Sequence, residues 1–162
     1  DPTKPRLYNW YAVMGIHDND PNTPNKEYVP EGWHVPSFAE WKKLAEHLIA
    51  NGYNYYDTTT NKIAKAMAST TGWISSTETG APGNDQSLNN SSGFNAFPEG
   101  YREYDAFNDE GDNAFFWSST EYYLDDDGYT AWYSDLGNST NNGLQWYYST
   151  KQSGFSVRFV RD

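Results

Sequence analysis

The chain has 162 residues and no cysteine, and its formal net charge is −11 at pH 7. That length suits one domain with its own core, while the absence of cysteine excludes a disulfide framework, a thiol nucleophile and a thiolate metal site. The negative field repels phosphate backbones and anionic lipid, so we expect neither a nucleic-acid partner nor membrane insertion by this domain.

The N-terminal residues predict a linker followed by a strand. Residues 1–6 are rich in proline, which is typical of the end of a linker, and we expect a single domain over residues 7–162. The chain starts without a leader sequence, so we expect it to be a portion of a longer or processed precursor. In residues 7–13 the side chains alternate between two faces, which predicts a first strand.

A short acidic segment near the N-terminus raises the question of a calcium cofactor. Residues 18–25 begin like a calcium-binding loop, with Asp-x-Asp-x-Asn. However, Thr23 stands where the turn glycine is needed and Val29 where the bidentate glutamate belongs. We therefore predict a solvated turn and no cofactor, with calcium kept as the minor alternative.

The clearest helix pattern begins after Ser37. Ser37 and Glu40 form a Ser-x-x-Glu capping box, and Asn51-Gly52 ends the helix. A second, shorter helix is predicted at residues 61–68. His34 has no second histidine or cysteine at metal-binding spacing, so we expect a hydrogen-bonded structural residue. The apolar face of the first helix consists of Phe38, Trp41, Leu44, Ala45, Leu48 and Ile49.

The middle of the chain is irregular but aromatic. Residues 69–113 would be an unusually long loop in a compact domain, so we predict an ordered insertion that packs on the sheet. Acidic residues collect towards its end and beyond. They suit a solvated acidic face, with oxygen ligands for calcium or a glycosidase-like pair as alternatives. These residues are Glu103, Asp105, Asp109, Glu110, Asp112, Asp125, Asp126 and Asp127.

Two strand-like blocks, residues 115–121 and 154–160, frame a segment of unusual composition. Residues 122–153 consist mostly of Tyr, Asp, Asn, Ser, Thr and Gly. Tyr offers a large contact area at low entropic cost, and the small polar residues offer adaptable hydrogen bonds. The segment therefore favours a recognition surface, although a loop-rich β domain with polar outer faces would have a similar composition.

Several sequence blocks occur in an order that resembles the Fibrobacter succinogenes major paralogous domain. The resemblance covers essentially the whole chain. It implies an α+β fold of the C-type-lectin-like class, in the variant shared with formylglycine-generating enzymes, with two helices packed on a twisted antiparallel sheet and long loop insertions. The blocks are LYNWYAV (7–13), PEGWHVPS (30–37), EW (40–41), GFNA (93–96), GYR (100–102), WSSTE (117–121), AWY (131–133) and GFSVR (154–158).

The resemblance implies export and an extracellular or cell-surface location, on a bacterium or a phage. It implies no enzyme, because formylglycine-generating enzymes use cysteine chemistry and this chain has no cysteine. The calcium motifs of sugar-binding C-type lectins, Glu-Pro-Asn and Trp-Asn-Asp, are absent too. Where relatives often carry a cysteine pair, this chain has Val29 and Phe159, which we predict to lie side by side.

Variable proteins of diversity-generating retroelements use a similar lectin-like scaffold, and their C-terminal codons are altered at adenines. Residues 122–153 have much of the vocabulary that such changes produce, and ordinary divergence in a paralogous family is the competing explanation. Alternation predicts a fixed core of Trp132, Leu136, Leu144 and Trp146. The predicted outward residues are Tyr129, Ala131, Tyr133, Asp135, Gln145, Tyr147 and Ser149.

We therefore expect a non-enzymatic, surface-displayed domain that recognises a glycan or protein on another cell or host surface. One alternative is a carboxylate-based or calcium-dependent hydrolase that uses Asp105, Asp109, Asp112 or residues 125–127. Another is a purely structural module of a surface lipoprotein. The predicted ligand contacts are Tyr122, Tyr123, Asp125, Tyr129, Tyr133, Asp135, Asn138, Asn141, Gln145, Tyr147 and Tyr148.

Overall fold

The computed structural model describes residues 6–16, 20, 22, 29–55, 61–123, 128–138 and 143–162. The fold is α+β, as predicted, with one long helix and antiparallel sheets. In chain order the elements are α1 Trp10–Val13, β1 Trp33–His34, α2 Phe38–Ala50, α3 Ala64–Met67, a 3-10 helix Gln86–Leu88, β2 Tyr101–Glu103, β3 Ala106–Asn108, β4 Asn113–Tyr122, β5 Thr130–Gly137, β6 Leu144–Thr150 and β7 Val160–Arg161.

The central sheet has three antiparallel strands in the order β4-β5-β6. Residues that lie opposite one another share a face, and successive residues along a strand alternate between faces. The face towards α2, called the helix face, carries Ala114, Phe116, Trp132, Ser134, Leu136, Leu144, Trp146 and Tyr148. The opposite face, called the cleft face, carries Phe115, Trp117, Ala131, Tyr133, Asp135, Gln145, Tyr147 and Ser149.

Helix α2 packs on the helix face and forms the larger core. Its N-terminus has the predicted capping box between Ser37 and Glu40, which satisfies backbone donors of the first turn. The Trp41 ring lies 5.7 Å from that of Phe116. Leu136, a predicted core residue, is fully buried in the same cluster, and burial of such a side chain contributes about 1.5–3 kcal/mol.

A bulge bends β4 towards the start of α2. Trp117 pairs with Tyr133, but Glu121 pairs with Ala131, so β4 holds extra residues between these pairs. The bend lets the Ser119 amide donate to Pro36 O at 2.9 Å, and it lets Thr120 Oγ1 accept from the Phe38 amide at 3.0 Å. Bulges of this kind re-aim the end of a strand, which here is the end that carries Tyr122.

The cleft face is covered as well, by α1 and the segment around Phe155. Ala131, which alternation predicted to point towards solvent, is fully buried in this second core. Alternation correctly placed Ala131 on the cleft face, but at Ala131 that face packs against a second core instead of facing water. Trp132 and Trp146, predicted as fixed core, are only half-buried on the opposite face.

The predicted first strand is wrong beyond Tyr8, which alone forms a bridge, to Phe155. The chain then turns into α1 because the Asn9 side chain accepts from the Ala12 amide at 2.8 Å and caps the helix. The Trp10 indole donates to Ser118 O at 2.9 Å, inside the core. The local cap and this tertiary contact together outweigh the strand propensity of the sequence.

The second helix is shorter than predicted, and the insertion that follows it is ordered. A buried lysine, Lys65, donates from Nζ to Asp85 O at 3.0 Å, to Ala81 O at 3.4 Å and to Asn84 O. Burial lowers the pKa of Lys65, and these carbonyls compensate its charge. Trp73 and Ala96 of the insertion are buried in one core cluster with Ala114 and Phe116 of β4, which confirms the predicted packing of residues 69–113 on the sheet.

Hydrogen bonds and strand pairing hold the C-terminal segment against the rest of the domain. Arg158 donates to Phe94 O at 3.2 Å and to Asn95 O at 3.0 Å. Beyond it, β7 pairs with β1. Val29 and Phe159 pack against the same cleft-face cluster, so their direct contact stays a prediction.

His34 in β1 has the structural role predicted for it. Its Nε2 lies 2.8 Å from Glu40 Oε1, and its Nδ1 lies 2.7 Å from Asp162 Oδ1.

Among the residues with described structure, no helix combines the length and apolar character that crossing a membrane requires.

Candidate functional site

Tyrosines gather where β4 ends and β5 begins. The rings of Tyr122 and Tyr148 are stacked with their centroids 4.1 Å apart. Tyr123, Tyr129 and Tyr148 are 67%, 61% and 43% exposed, although each ring offers a large apolar area. Exposed tyrosines gathered at one end of a sheet are typical of recognition surfaces. We call Tyr122, Tyr123, Tyr129 and Tyr148 the tyrosine rim.

The base of the rim is supported by further aromatic rings. Trp132 lies with its ring centroid 4.7 Å from that of Tyr122 in an edge-on arrangement. On its other side Trp132 stacks on Phe38, the first residue of α2, at 4.4 Å. This column fixes the rotamers of Tyr122 and Trp132, so little side-chain entropy remains to be lost when a ligand binds.

A buried lysine holds the backbone beneath the rim. Lys151 Nζ lies 2.6 Å from Glu121 Oε2, donates to Gly128 O and stands 4.4 Å over the Trp10 ring. Glu121 also makes a side-chain hydrogen bond with Tyr123, which raises the pKa of that phenol. Lys151 thus ties the end of β4 to the residue before Tyr129.

On the cleft face a concavity lies against the β2–β3 hairpin. Its volume is about 250 Å³. The Tyr133 ring lies 4.7 Å from Phe155 and 6.0 Å from Tyr147. We call this concavity the cleft, and it is lined by Tyr101, Glu103, Asp109, Phe115, Tyr133, Ser149 and Phe155.

Asp135 lies beside the cleft, opposite Phe115 in the strand register. Burial raises the pKa of Asp135 to about 6, and the charges of Asp109 and Asp112 add to the shift. A hydrogen bond of 2.8 Å from Asn113 Nδ2 works in the opposite direction. Burial also raises the pKa of the Tyr133 phenol, so both groups favour their neutral forms.

A family comparison accounts for the order of the sequence blocks. The model of the Fibrobacter succinogenes major domain matches residues 2–161. The chain belongs to this family. No curated protein and no solved structure matches the chain.

In this Fibrobacter succinogenes major domain, the predicted ligand contacts lie in separate parts of the structure. One group forms the tyrosine rim. A second lies on the cleft face, where Tyr133 pairs with Tyr147 and Asp135 with Gln145. Asp125 and Asn141 lie outside the described residues.

Asn138 belongs to neither group. Its Oδ1 accepts from the Gly83 amide at 2.7 Å, and its Nδ2 donates to Ile74 O at 2.7 Å. The side-chain amide therefore joins the end of β5 to the insertion. The structure gives Asn138 these structural contacts, and its role as a ligand contact stays a prediction.

Sequence reasoning missed that Tyr101, Glu103 and Asp109 line a common cleft with β5. The alternation of Tyr101 and Glu103 in a short strand predicts that they share a face. Nothing local indicates which layer that face meets, because β2 is placed by distant pairing of Arg102 with Gly154.

The acids considered for the hydrolase hypothesis can be located in part. Asp105, Asp109 and Asp112 are exposed, whereas residues 125–127 fall in a part of the chain that the structure does not describe. In the described part of the chain, no group of three or more His, Cys, Asp and Glu side chains is arranged to hold a metal ion. Of the acidic loop predicted near the N-terminus, Asp20 is described, and its Oδ1 accepts from the amide of Asn22 at 2.9 Å.

Proposed function

We propose that this chain is a non-enzymatic recognition domain that binds a glycan or protein through the tyrosine rim. The observation that carries the proposal is the exposure of Tyr123, Tyr129 and Tyr148 at the end of the sheet where β4 ends and β5 begins. The domain would be exported and displayed on a bacterial or phage surface, and its ligand would lie on another cell or host surface. The proposed scaffold is the C-type-lectin-like variant, consistent with α2 packed on an antiparallel sheet and with the ordered insertion before β4.

The rim has the chemistry that either kind of ligand requires. Tyrosine faces stack on sugar rings, and their hydroxyls hydrogen-bond to sugar hydroxyls. In protein interfaces the same side chain is among the commonest hot-spot residues, and its loss often costs 2 kcal/mol or more. The stacked pair of Tyr122 and Tyr148 offers a fixed platform, while Tyr123 and Tyr129 offer further exposed contact area.

The test is a screen of the purified domain on a glycan array and on a library of displayed cell-surface proteins. Hits are then measured with a variant that carries Tyr123→Ala, Tyr129→Ala and Tyr148→Ala. We expect this variant to bind at least about tenfold more weakly, which corresponds to about 1.4 kcal/mol. Circular dichroism and thermal unfolding would establish that it remains folded.

The matched control removes exposed aromatic rings elsewhere. Tyr104 and Phe107 on the β2–β3 hairpin are 85% and 70% exposed, and Tyr104→Ala with Phe107→Ala should leave binding unchanged. An equal loss in both variants would mean non-specific aromatic adhesion. If no glycan or protein binds in a rim-dependent manner, the structural-module alternative replaces recognition.

A further inference from the structure

The cleft is a second candidate site, separate from the tyrosine rim. Its lining comes from three parts of the fold. Two lining residues, Tyr101 and Glu103, belong to β2, and Asp109 directly follows β3. The central sheet contributes Tyr133 and Ser149. Its volume of about 250 Å³ is smaller than the roughly 300–1,000 Å³ that sites for drug-sized molecules occupy. The cleft therefore suits one side chain or one small group, not a whole oligosaccharide.

Four of the seven described residues that line the cleft are aromatic. Ring centroids are 5.1 Å apart for Tyr101 and Phe115, 5.7 Å for Phe115 and Tyr133, and 4.7 Å for Tyr133 and Phe155. Tyr101 and Phe155 close the set at 6.0 Å. Aromatic groups at these distances create a partly desolvated wall whose quadrupoles attract organic cations.

The charged groups that line the cleft in the described part of the chain all have one sign. They are Glu103 and Asp109, and no described lysine, arginine or histidine lines it. The charges of Asp109 and Glu103 add to burial in raising the pKa of Tyr101, so their negative potential reaches the aromatic wall. Arg102, between Tyr101 and Glu103 in β2, alternates away from the cleft and lies 3.4 Å from Asp105.

We propose that the cleft binds the cationic side chain of a lysine or arginine from a protein partner. The guanidinium or ammonium group would bind to the carboxylates of Glu103 and Asp109, and the alkyl stem would pack on the aromatic wall. A hard metal ion takes six or more oxygen ligands, and in the described part of the chain no group of three or more His, Cys, Asp and Glu side chains is arranged to hold one. A phosphate or another anion is repelled by the carboxylates. The inference does not depend on the tyrosine rim or on its ligand.

The test uses short peptides and nuclear magnetic resonance. The isotope-labelled wild-type domain is titrated with acetyl-Gly-Arg-Gly-amide, acetyl-Gly-Lys-Gly-amide and the citrulline peptide, which keeps the shape of arginine without its charge. The expected result is saturable shifts of the Tyr101, Tyr133 and Ser149 amides with the two cationic peptides, weakened by salt, and none with citrulline. Equal shifts with citrulline, or shifts elsewhere in the domain, would overturn the proposal.

Charge-removing variants separate the cleft from the overall field. Glu103→Gln with Asp109→Asn should weaken the arginine peptide at least about tenfold. Asp105→Asn with Glu46→Gln removes the same charge at exposed sites outside the cleft and should weaken it less than about twofold. Equal losses would show general electrostatic attraction only. If the cleft variant does not fold, the comparison of arginine with citrulline in the wild-type domain decides.

A further arm distinguishes the source of the cation. Butylammonium, which has the charge and stem of lysine without a peptide backbone, should bind more weakly than the lysine peptide. Equal affinity would assign the cleft to free amines and contradict a protein partner. The variant with three rim tyrosines changed should bind the arginine peptide like the wild type, so the two proposals can fail independently.

Discussion

The carboxylate of Asp135 lies where burial disfavours its negative charge. Its pKa in the folded protein is raised from an ordinary value of 3.8 to about 6. Because the folded state binds the proton more tightly than the unfolded chain, ionisation costs stability. This penalty is absent below about pH 4, grows as the pH rises towards about 6, and is complete above that. Asp109, Asp112 and the Tyr133 phenol are the titratable groups that face it.

We therefore predict that Asp135→Asn stabilises the domain at pH 7. The amide keeps an oxygen acceptor for Asn113 and removes the charge. A shift of this size corresponds to about 3 kcal/mol at most, and partial exposure should reduce the gain to about 1–2 kcal/mol. Urea unfolding at pH 3.5 to 8 measures it, and the variant should lose the decline in stability between about pH 4 and 6. Asp105→Asn, at an exposed site, is the control, and a destabilised Asp135→Asn would contradict the assignment.

Residues of one polar segment can have different roles, some holding the fold together and others facing solvent. Asn138 and Lys151 lie in the Tyr- and Asn-rich C-terminal segment, yet both bind backbone carbonyls of other parts of the fold. Tyr123 and Tyr129 lie in the same segment and are mostly exposed. Composition predicts a recognition surface for the segment as a whole, but individual roles depend on distant partners that sequence does not reveal.

At the scale of elements, one carboxylate joins the start of α2 to the β1–β7 pair. Glu40 Oε2 accepts from the Ser37 amide at 2.8 Å, while Oε1 lies 2.8 Å from His34 Nε2. The hydrogen bond from the Ser37 amide is the main reason that the pKa of Glu40 falls to about 2. Asp162, bound to the other nitrogen of His34, completes the link across β1 and β7.

The β1–β7 pair should consequently loosen as His34 loses its proton. Hydrogen bonds to Asp162 and then Glu40 raise the pKa of His34 above its ordinary value of 6.5. Its contribution is therefore fully present below pH 6.5 and is lost as the pH rises through the folded-state pKa. The side chains are more than a third exposed, so we expect an effect well below 1 kcal/mol.

Amide exchange of Val160 and Arg161, corrected for intrinsic rates, measures this loosening. Opening should be a few fold more frequent at about pH 8.5 than at about pH 5.5 in the wild type. Asp162→Asn should reduce this difference, whereas Glu46→Gln, which removes a charge from the exposed side of α2, should not. Unchanged pH dependence in Asp162→Asn would show that the link does not hold β7.

Elements whose causes are all local were predictable, whereas an element that also depends on a distant contact was not. The helix α2 follows from its capping box and its apolar periodicity, both within a few residues of one another. The helix α1 replaced a predicted strand because the Asn9 cap and the burial of Trp10 against Ser118 decided the conformation. The latter contact joins residues more than a hundred positions apart, and no local pattern encodes it.

At the scale of the whole molecule, both faces of the central sheet support cores. Alternation correctly separated the two sets of side chains, but it could not show that the cleft face is covered by α1 and the segment around Phe155. The predicted contacts are therefore divided between the rim and the cleft face. The fold class and the long helix followed from sequence, whereas the division of the site depends on which distant segments cover each face.

This two-sided packing makes a sharp prediction about sequence variation if a retroelement diversifies the domain. Replacing buried Leu136 or Leu144 by a small polar residue would cost roughly 2–5 kcal/mol, and enlarging Ala131 would cost about 1–3 kcal/mol. A domain with a typical stability of about 5–15 kcal/mol tolerates few such changes. Variation should therefore spare these residues and concentrate on exposed side chains such as Tyr123, Tyr129, Tyr147 and Tyr148.

Deep sequencing of the locus in its source population, aligned by codon over residues 115–162, measures this pattern. Diversification requires substitutions at adenines of a nearby template copy, with residues such as Tyr147 and Tyr148 variable and Asn138 and Lys151 constant because they hold backbone carbonyls. If residues 122–153 are as uniform as residues 33–41, diversification is wrong and a fixed ligand is the better expectation. Substitutions spread evenly over buried and exposed positions would contradict both, since neither a fixed nor a diversified site tolerates loss of the core.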